Sequence, residues 1–282
     1  MTTITATMVK ELRERTGVGM MDCKKALVAA DGDMELAIDD LRKSSGMKAA
    51  KKAGRIAADG LIGMKVVDGK GVMIEVNCET DFAARDSNFT EFIETVVERI
   101  YNEESADLEA MLENGLEQDR QNLIQKIGEN ISVRRAEFYD GEVASYVHTN
   151  AKIGVLVLMQ GGDASLGRDI AMHIAAANPQ VVSPADASQS VLAKEREIYT
   201  AQAEESGKPA EIIKKMVEGR VSKFLSEISL TEQVFVKNSD LKVSQLLSQA
   251  NASVVSFVRY EVGEGIDKAK VDFADEVAQQ LA

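Results

Sequence analysis

The chain has 282 residues, 45% of them hydrophobic but only 5% aromatic and with no Trp, enough for one large domain or a few small ones with aliphatic cores. Its formal net charge is −13, from 46 acidic and 33 basic side chains, which argues against a broad electrostatic grip on a nucleic-acid backbone. No stretch is long and apolar enough to span a bilayer, the first residues carry no signal pattern, and Cys23 and Cys78 each lie inside an apolar pattern, so reduced thiols in a cytoplasmic protein are expected.

Three short helices are predicted first. Met8, Val9 and Leu12 share a face behind a candidate N-cap at Thr5, and Gly17 stops the run. Cys23, Ala26, Leu27 and Ala30 repeat at helical spacing up to Gly32. Asp33 then caps a third helix carrying Met34, Ala37, Ile38 and Leu41. A Lys-, Ala- and Gly-rich stretch from Ser44 to Gly60 reads as a linker. Beyond it the period shortens: apolar runs at 61–66 and 72–76 flank Asp68-Gly69, a hairpin signal. A helix follows with Phe89, Phe92, Ile93, Val96, Val97 and Ile100 on one stripe, then an acidic helical segment to about Asn130.

From Ile131 the order restarts: strands at 143–147 and 153–159, then Gly161-Gly162 and a helix with Ile170, Ile174 and Ala177. Gly154-Val155 echoes Gly71-Val72, which suggests a weak internal duplication. After Pro179 and Pro184, two helices joined at 206–209 form an antiparallel hairpin too thin to have its own core, expected to pack on the body or on another chain. Strand signals return at 233–236 and 254–262, and a last helix is expected from Gly265. The fold class expected is α+β.

Catalytic chemistry is hard to find. Neither His148 nor His173 stands in metal-ligand spacing with a cysteine, and CxxC, HExxH and a phosphate-binding loop are absent. Gly17-Val18-Gly19 follows a helix rather than a strand, with Asp22 where a dinucleotide site needs glycine. Cys78 continues the alternation of Ile74 and Val76 and reads as buried, and His173 lies on an apolar stripe. No enzymatic activity, cofactor or metal is expected.

Two segments do not look like ordinary loops. TGVGMMDCKKAL (16–27) puts Met20 and Met21 at a Gly-rich helix start ahead of Lys24 and Lys25; they either face a partner or close the small bundle. EVNCETDFA (75–83) puts Phe82 at a strand end, where it is either a wedge worth about 2–3 kcal/mol on full burial or a ring folded beneath the next helix.

Together with KIGENI (126–131), these segments resemble the signatures of the elongation factor Ts family, and the resemblance extends over essentially the whole chain. It implies a guanine-nucleotide exchange factor that binds the GTPase elongation factor Tu in its GDP form and promotes GDP release. The implied organisation is a three-helix, ubiquitin-associated-like domain (1–54), a core subdomain (55–140), a second one (141–179 with 229–263), an inserted helical hairpin (180–228) and a C-terminal module (264–282). Thr80, Asp81, Phe82 and Ala83 match the loop that disturbs the GTPase's Mg²⁺ site, with Ala83 where the family usually has Val. Arg13, Met20, Met21 and Lys24 match the docking surface, Val236 joins it, and His148 matches a position facing the GTPase. Lys237 stands where some relatives are apolar. The hairpin resembles a dimerisation element and leaves a homodimer open; no direct nucleic-acid or membrane contact is implied. A general peptide-binding module would bind many unrelated peptides without dependence on Phe82, whereas an enzyme using Cys78 or His148 would show a partner-free turnover abolished by thiol alkylation or by His148→Ala.

Overall fold

The computed structural model describes residues 3–205 and 207–267. The fold is α+β. Helix α1 (Ala6–Thr16) starts where the Thr5 hydroxyl accepts the Met8 N–H at 3.3 Å, and ends at Gly17 with φ +67°. Helix α2 (Met20–Ala29) starts after Gly19 without a side-chain cap. Asp33 caps α3 (Met34–Lys52) by accepting the Leu36 N–H at 3.0 Å. Val9, Leu12, Val18, Cys23, Leu27 and Leu41 form the shared core of the three.

The linker expected from Ser44 to Gly60 is a misreading over its first half, because α3 continues to Lys52. Ala and Lys favour the helix, and Ser45 and Ala49 are buried in it. The Ser45 hydroxyl donates to the Arg42 carbonyl at 2.6 Å and accepts from Gln118 Nε2 at 3.2 Å. A residue that only weakly favours a helix is thus satisfied by a carbonyl of its own helix and by a distant amide.

Strands β1 (Asp59–Val67) and β2 (Lys70–Cys78) are joined by Asp68-Gly69, whose φ values of +49° and +78° are those a type I′ turn requires. A single helical turn, α4 (Asp81–Ala84), precedes α5 (Ser87–Glu103), whose stripe from Phe89 to Ile100 is buried as its spacing predicts. The acidic segment is not one helix. It comprises α6 (Leu108–Met111), a π-type turn with Gly115 at φ +103°, and α7 (Glu117–Ile127). Strand β3 (Ser132–Asp140), which is not among the expected strands, pairs beside β2 in a sheet of order β1-β2-β3.

Strand β4 (Glu142–Val147) runs antiparallel to β5 (Ile153–Gln160), with Val143 opposite Leu158 and Tyr146 opposite Val155. Helix α8 (Ala164–Ala177) lies close on both, and a Cβ at Gly167 would meet the Ala144 Cβ at 2.6 Å. The hairpin consists of α9 (Gln189–Glu204) and α10 (Ala210–Ile228), around a small buried cluster of Ala203, Val217 and Val221. Two short strands, β6 (Val234–Phe235) and β7 (Asn238–Lys242), lead into α11 (Val243–Gln249). Strand β8 (Ser253–Glu261) completes a sheet of order β4-β5-β8.

The described residues form two compact units: 3–63 with 74–136 and 261–267, and 64–73 with 137–260. Of the helix expected from Gly265, residues from 268 on lie outside the described residues. Among those residues, no helix is long and apolar enough to cross a membrane.

Candidate functional site

The turn that follows β2 is built from its own residues and from one remote segment. Thr80 is in extended backbone, and its hydroxyl accepts the Ala83 N–H at 3.2 Å, capping α4. Ala83 and Ala84 point into the core, while Phe82 is 80% exposed. The ring does not fold beneath α5. The Cys78 thiol donates to the Thr80 carbonyl at 3.1 Å, buried as the alternation of β2 predicts. Asp81 pairs with Arg85 at 2.9 Å across an exposed i,i+4 spacing, a contact that is cheap to break.

The remote segment is 128–130, just past α7. The Glu129 carboxylate accepts the N–H groups of Glu79 at 2.9 Å and Thr80 at 3.0 Å, and the Thr80 hydroxyl at 2.6 Å. In return the Glu79 carboxylate accepts the Asn130 N–H at 2.6 Å and faces Arg55 Nη1 at 3.5 Å. The Asn130 amide donates to the Arg55 carbonyl at 2.8 Å, and Lys52 Nζ donates to the Gly128 carbonyl. Sequence reasoning marked 126–131 as a signature but gave Glu129 no task. Fifty residues separate the partners, so no spacing rule could pair them.

Beneath this turn, β2 carries a fully buried carboxylate. Glu75 accepts from Arg135 Nε at 2.5 Å, Arg134 Nη1 at 3.0 Å, Asn77 Nδ2 at 3.0 Å and the Gly263 N–H at 2.8 Å. Burial alone would raise its pKa. The donors, Gly263 first, outweigh burial and hold it below the ordinary 4.5.

The expected docking residues of the first unit are presented to solvent. Met20 and Met21 are 56% and 64% exposed, so they do not close the bundle; Val18 and Cys23 do that. Lys24 follows Met20 by one turn and is exposed, as is Arg13 on α1. Asp22 lies between them and is held by Lys48 at 2.7 Å. Burial, with a contribution from the Asp22 charge, pushes the Cys23 thiol up, the setting of an inert packed cysteine.

His148 and Val236 belong to the second unit. His148 is exposed, with Nδ1 3.1 Å from the Tyr146 hydroxyl. Val236 is exposed beyond β6, and its N–H donates to His173 Nδ1 at 3.2 Å. That bond makes Nδ1 an acceptor, so the neutral ring carries its proton on Nε2 and donates to Gln233 Oε1 at 2.9 Å. Burial lowers the His173 pKa, in keeping with a satisfied interior imidazole. Lys237, at the position expected apolar, pairs with Asp169. Thr80–Ala83 therefore form one turn, and Met20, Met21 and Lys24 one helix start. Among the described residues, no group of three or more His, Cys, Asp or Glu side chains could hold a metal ion.

What these surfaces define is an α+β protein that presents an aromatic on a pinned turn and a methionine pair on a helix start. The family described as Elongation factor TS matches residues 79–264. The chain is 63% identical to elongation factor Ts of Hahella chejuensis over 100% of its own length and 99% of the relative's. It is 55% identical to elongation factor Ts of Saccharophagus degradans, covering 99% and 98%, and 55% identical to that of Marinobacter nauticus, covering 99% and 97%. The chain belongs to the elongation factor Ts family, and with it to the factors of translation elongation.

Proposed function

We propose that this chain is the exchange factor for the GTPase elongation factor Tu: it binds the GDP form and promotes GDP release by disturbing the Mg²⁺/phosphate site. The observation that carries the reading is Phe82, an aromatic 80% exposed on a turn whose backbone is tied down. An isolated exposed Phe ring gains nothing in water, and full burial against a partner is worth about 2–3 kcal/mol.

Mg²⁺ bridges nucleotide phosphates to the protein and offsets their charge. A wedge that displaces it removes much of the affinity for GDP, and by linkage GDP weakens the exchange factor by the same factor. Phe82 is the wedge and Asp81 its polar companion, released from Arg85 at small cost. Arg13, Met20, Met21 and Lys24 supply docking in this reading, with Val236 and His148 as further contacts. No bond is made or broken, so the chain needs no catalytic group or cofactor of its own.

The same reading assigns 1–54 to a ubiquitin-associated-like docking domain, 55–140 and the pair 141–179 and 229–263 to two related core subdomains, and 180–228 to an arm that can pair with a second copy. The setting is the cytoplasm, with no direct contact to nucleic acid or membrane.

Release of a fluorescent GDP analogue from purified elongation factor Tu at fixed Mg²⁺ tests this. Catalytic amounts of the chain should accelerate release strongly. Phe82→Ala should slow release by on the order of tenfold or more while sparing most of the binding. Normal release by that variant, or loss of all binding, would overturn the assignment of Phe82.

A further inference from the structure

We infer that Glu129 is a positioning residue for the Phe82 turn, setting its presenting geometry before any partner arrives; this rests on the exchange reading above. Phe82 makes too little contact to aim itself, since its ring stands in solvent. The aim must come from the backbone. Two consecutive N–H groups, of Glu79 and Thr80, end on Glu129 Oε2, and the Thr80 hydroxyl ends on Oε1. Hydrogen bonds to a carboxylate are shorter and about twice as strong as neutral ones.

The hydroxyl carries the argument to the ring. A threonine hydroxyl has a single proton. Once that proton is spent on Glu129, a lone pair is left to face the Ala83 N–H, which is the cap that starts α4. Glu129 thereby fixes the rotor of the group that orients the helical turn bearing Phe82. Without the carboxylate, the hydroxyl is free to rotate and two N–H groups lose their acceptor.

Glu129 is itself held on both sides. Asn130, next to it, is bound through its N–H by Glu79, and its side chain is tied to the chain leaving α3 at Arg55. Lys52, the last residue of α3, holds the Gly128 carbonyl. Helix α3, which packs against α2, and the turn that bears Phe82 therefore share one short strut, residues 128–130. A rigid wedge referenced to its own docking module loses less freedom on binding.

The test separates positioning from docking. GDP release from elongation factor Tu is followed at increasing concentrations of the full chain, for wild type, Glu129→Ala and Glu129→Gln. The maximal rate should fall on the order of tenfold in Glu129→Ala. It should fall less in Glu129→Gln, which keeps one acceptor oxygen, while the half-saturating concentration stays within about twofold in both. In parallel, NMR of the full chain should show the Glu79 and Thr80 amide protons moving upfield and exchanging faster in Glu129→Ala, with the amides of α2 unmoved. An unchanged maximal rate in Glu129→Ala, or unmoved Glu79 and Thr80 amides, would overturn the inference. If wild type accelerates release and Phe82→Ala does not, but Glu129→Ala behaves as wild type, the exchange reading stands and only the role of Glu129 falls. If wild type itself gives no acceleration, the exchange reading fails first and takes this role with it.

Discussion

The turn at Thr80–Ala83 and the start of α2 both push apolar side chains into solvent, yet they are held in opposite ways. Met20 and Met21 stand on a helix start without a side-chain cap, supported by Val18 and Cys23 and by one partly exposed ion pair, Asp22 with Lys48. Phe82 stands on four residues of helix tied to a segment fifty positions away. The side chains account for the difference. Methionine is unbranched and adapts to whatever it meets, so a platform is enough. A phenyl ring has a fixed shape and few rotamers, and it must arrive correctly aimed. Where a protein needs adhesion a packed helix and one ion pair suffice; where it needs direction it fixes the backbone itself with several hydrogen bonds to one carboxylate.

The most damaging change should be Glu75→Ala, below the Phe82 turn. It leaves Arg134 and Arg135 without their buried acceptor and should cost about 3 kcal/mol of stability, read as a fall in Tm. The acid dependence carries the same signature. A carboxylate held below its ordinary 4.5 contributes stability that is present above pH 4.5 and lost as pH falls through its folded value. Glu75→Gln should remove that part of the acid transition. At the α2 start, Met20→Ala combined with Met21→Ala should weaken binding to elongation factor Tu by about tenfold. The maximal release rate should persist and stability should change by less than about 0.5 kcal/mol, both side chains being exposed. A drop in maximal rate without a drop in affinity would erase the distinction between adhesion and direction. Gly17→Ala should be mildest, about 1 kcal/mol, because alanine at φ +67° is strained while the crowding Lys126 side chain can move away; thermal melting reads it.

What the sequence disclosed was what is local. Thr5, Asp33, Gly17 and Asp68-Gly69 announce caps and a turn through chemistry confined to a few residues, and each stands where that chemistry puts it. The stripe of α5 is equally plain because one face is wholly apolar. Ser44-Ser45-Gly46 misled because what supports this stretch, burial of Ser45 and Ala49 and a bond from Gln118, is not visible in the local sequence. Strand β7, Asn238–Lys242, has no apolar alternation at all and exists through its pairing with β6, Phe235 opposite Asn238. At the candidate site, the sequence singled out Phe82, Met20 and Met21 but left open whether they faced in or out. Their exposure depends on Ala83, Val18 and Cys23 filling the core instead, which spacing alone does not decide.

The reciprocal bonds between 79–80 and 129–130 have a lopsided composition. On each side a side-chain carboxylate accepts from the other side's backbone N–H. Every residue except proline brings that donor with it, whereas only a few side chains can serve as the acceptor. Inherited variation can therefore delete an acceptor by a single substitution at 79 or 129, but at 130 it removes the donor only by introducing proline. Of the two acceptors, Glu129 takes three bonds and is the narrower target. The one donor that a substitution other than proline can remove is the Thr80 hydroxyl, so variation is constrained at residue 80 together with the two acids, while the backbone donors persist whatever side chain they carry.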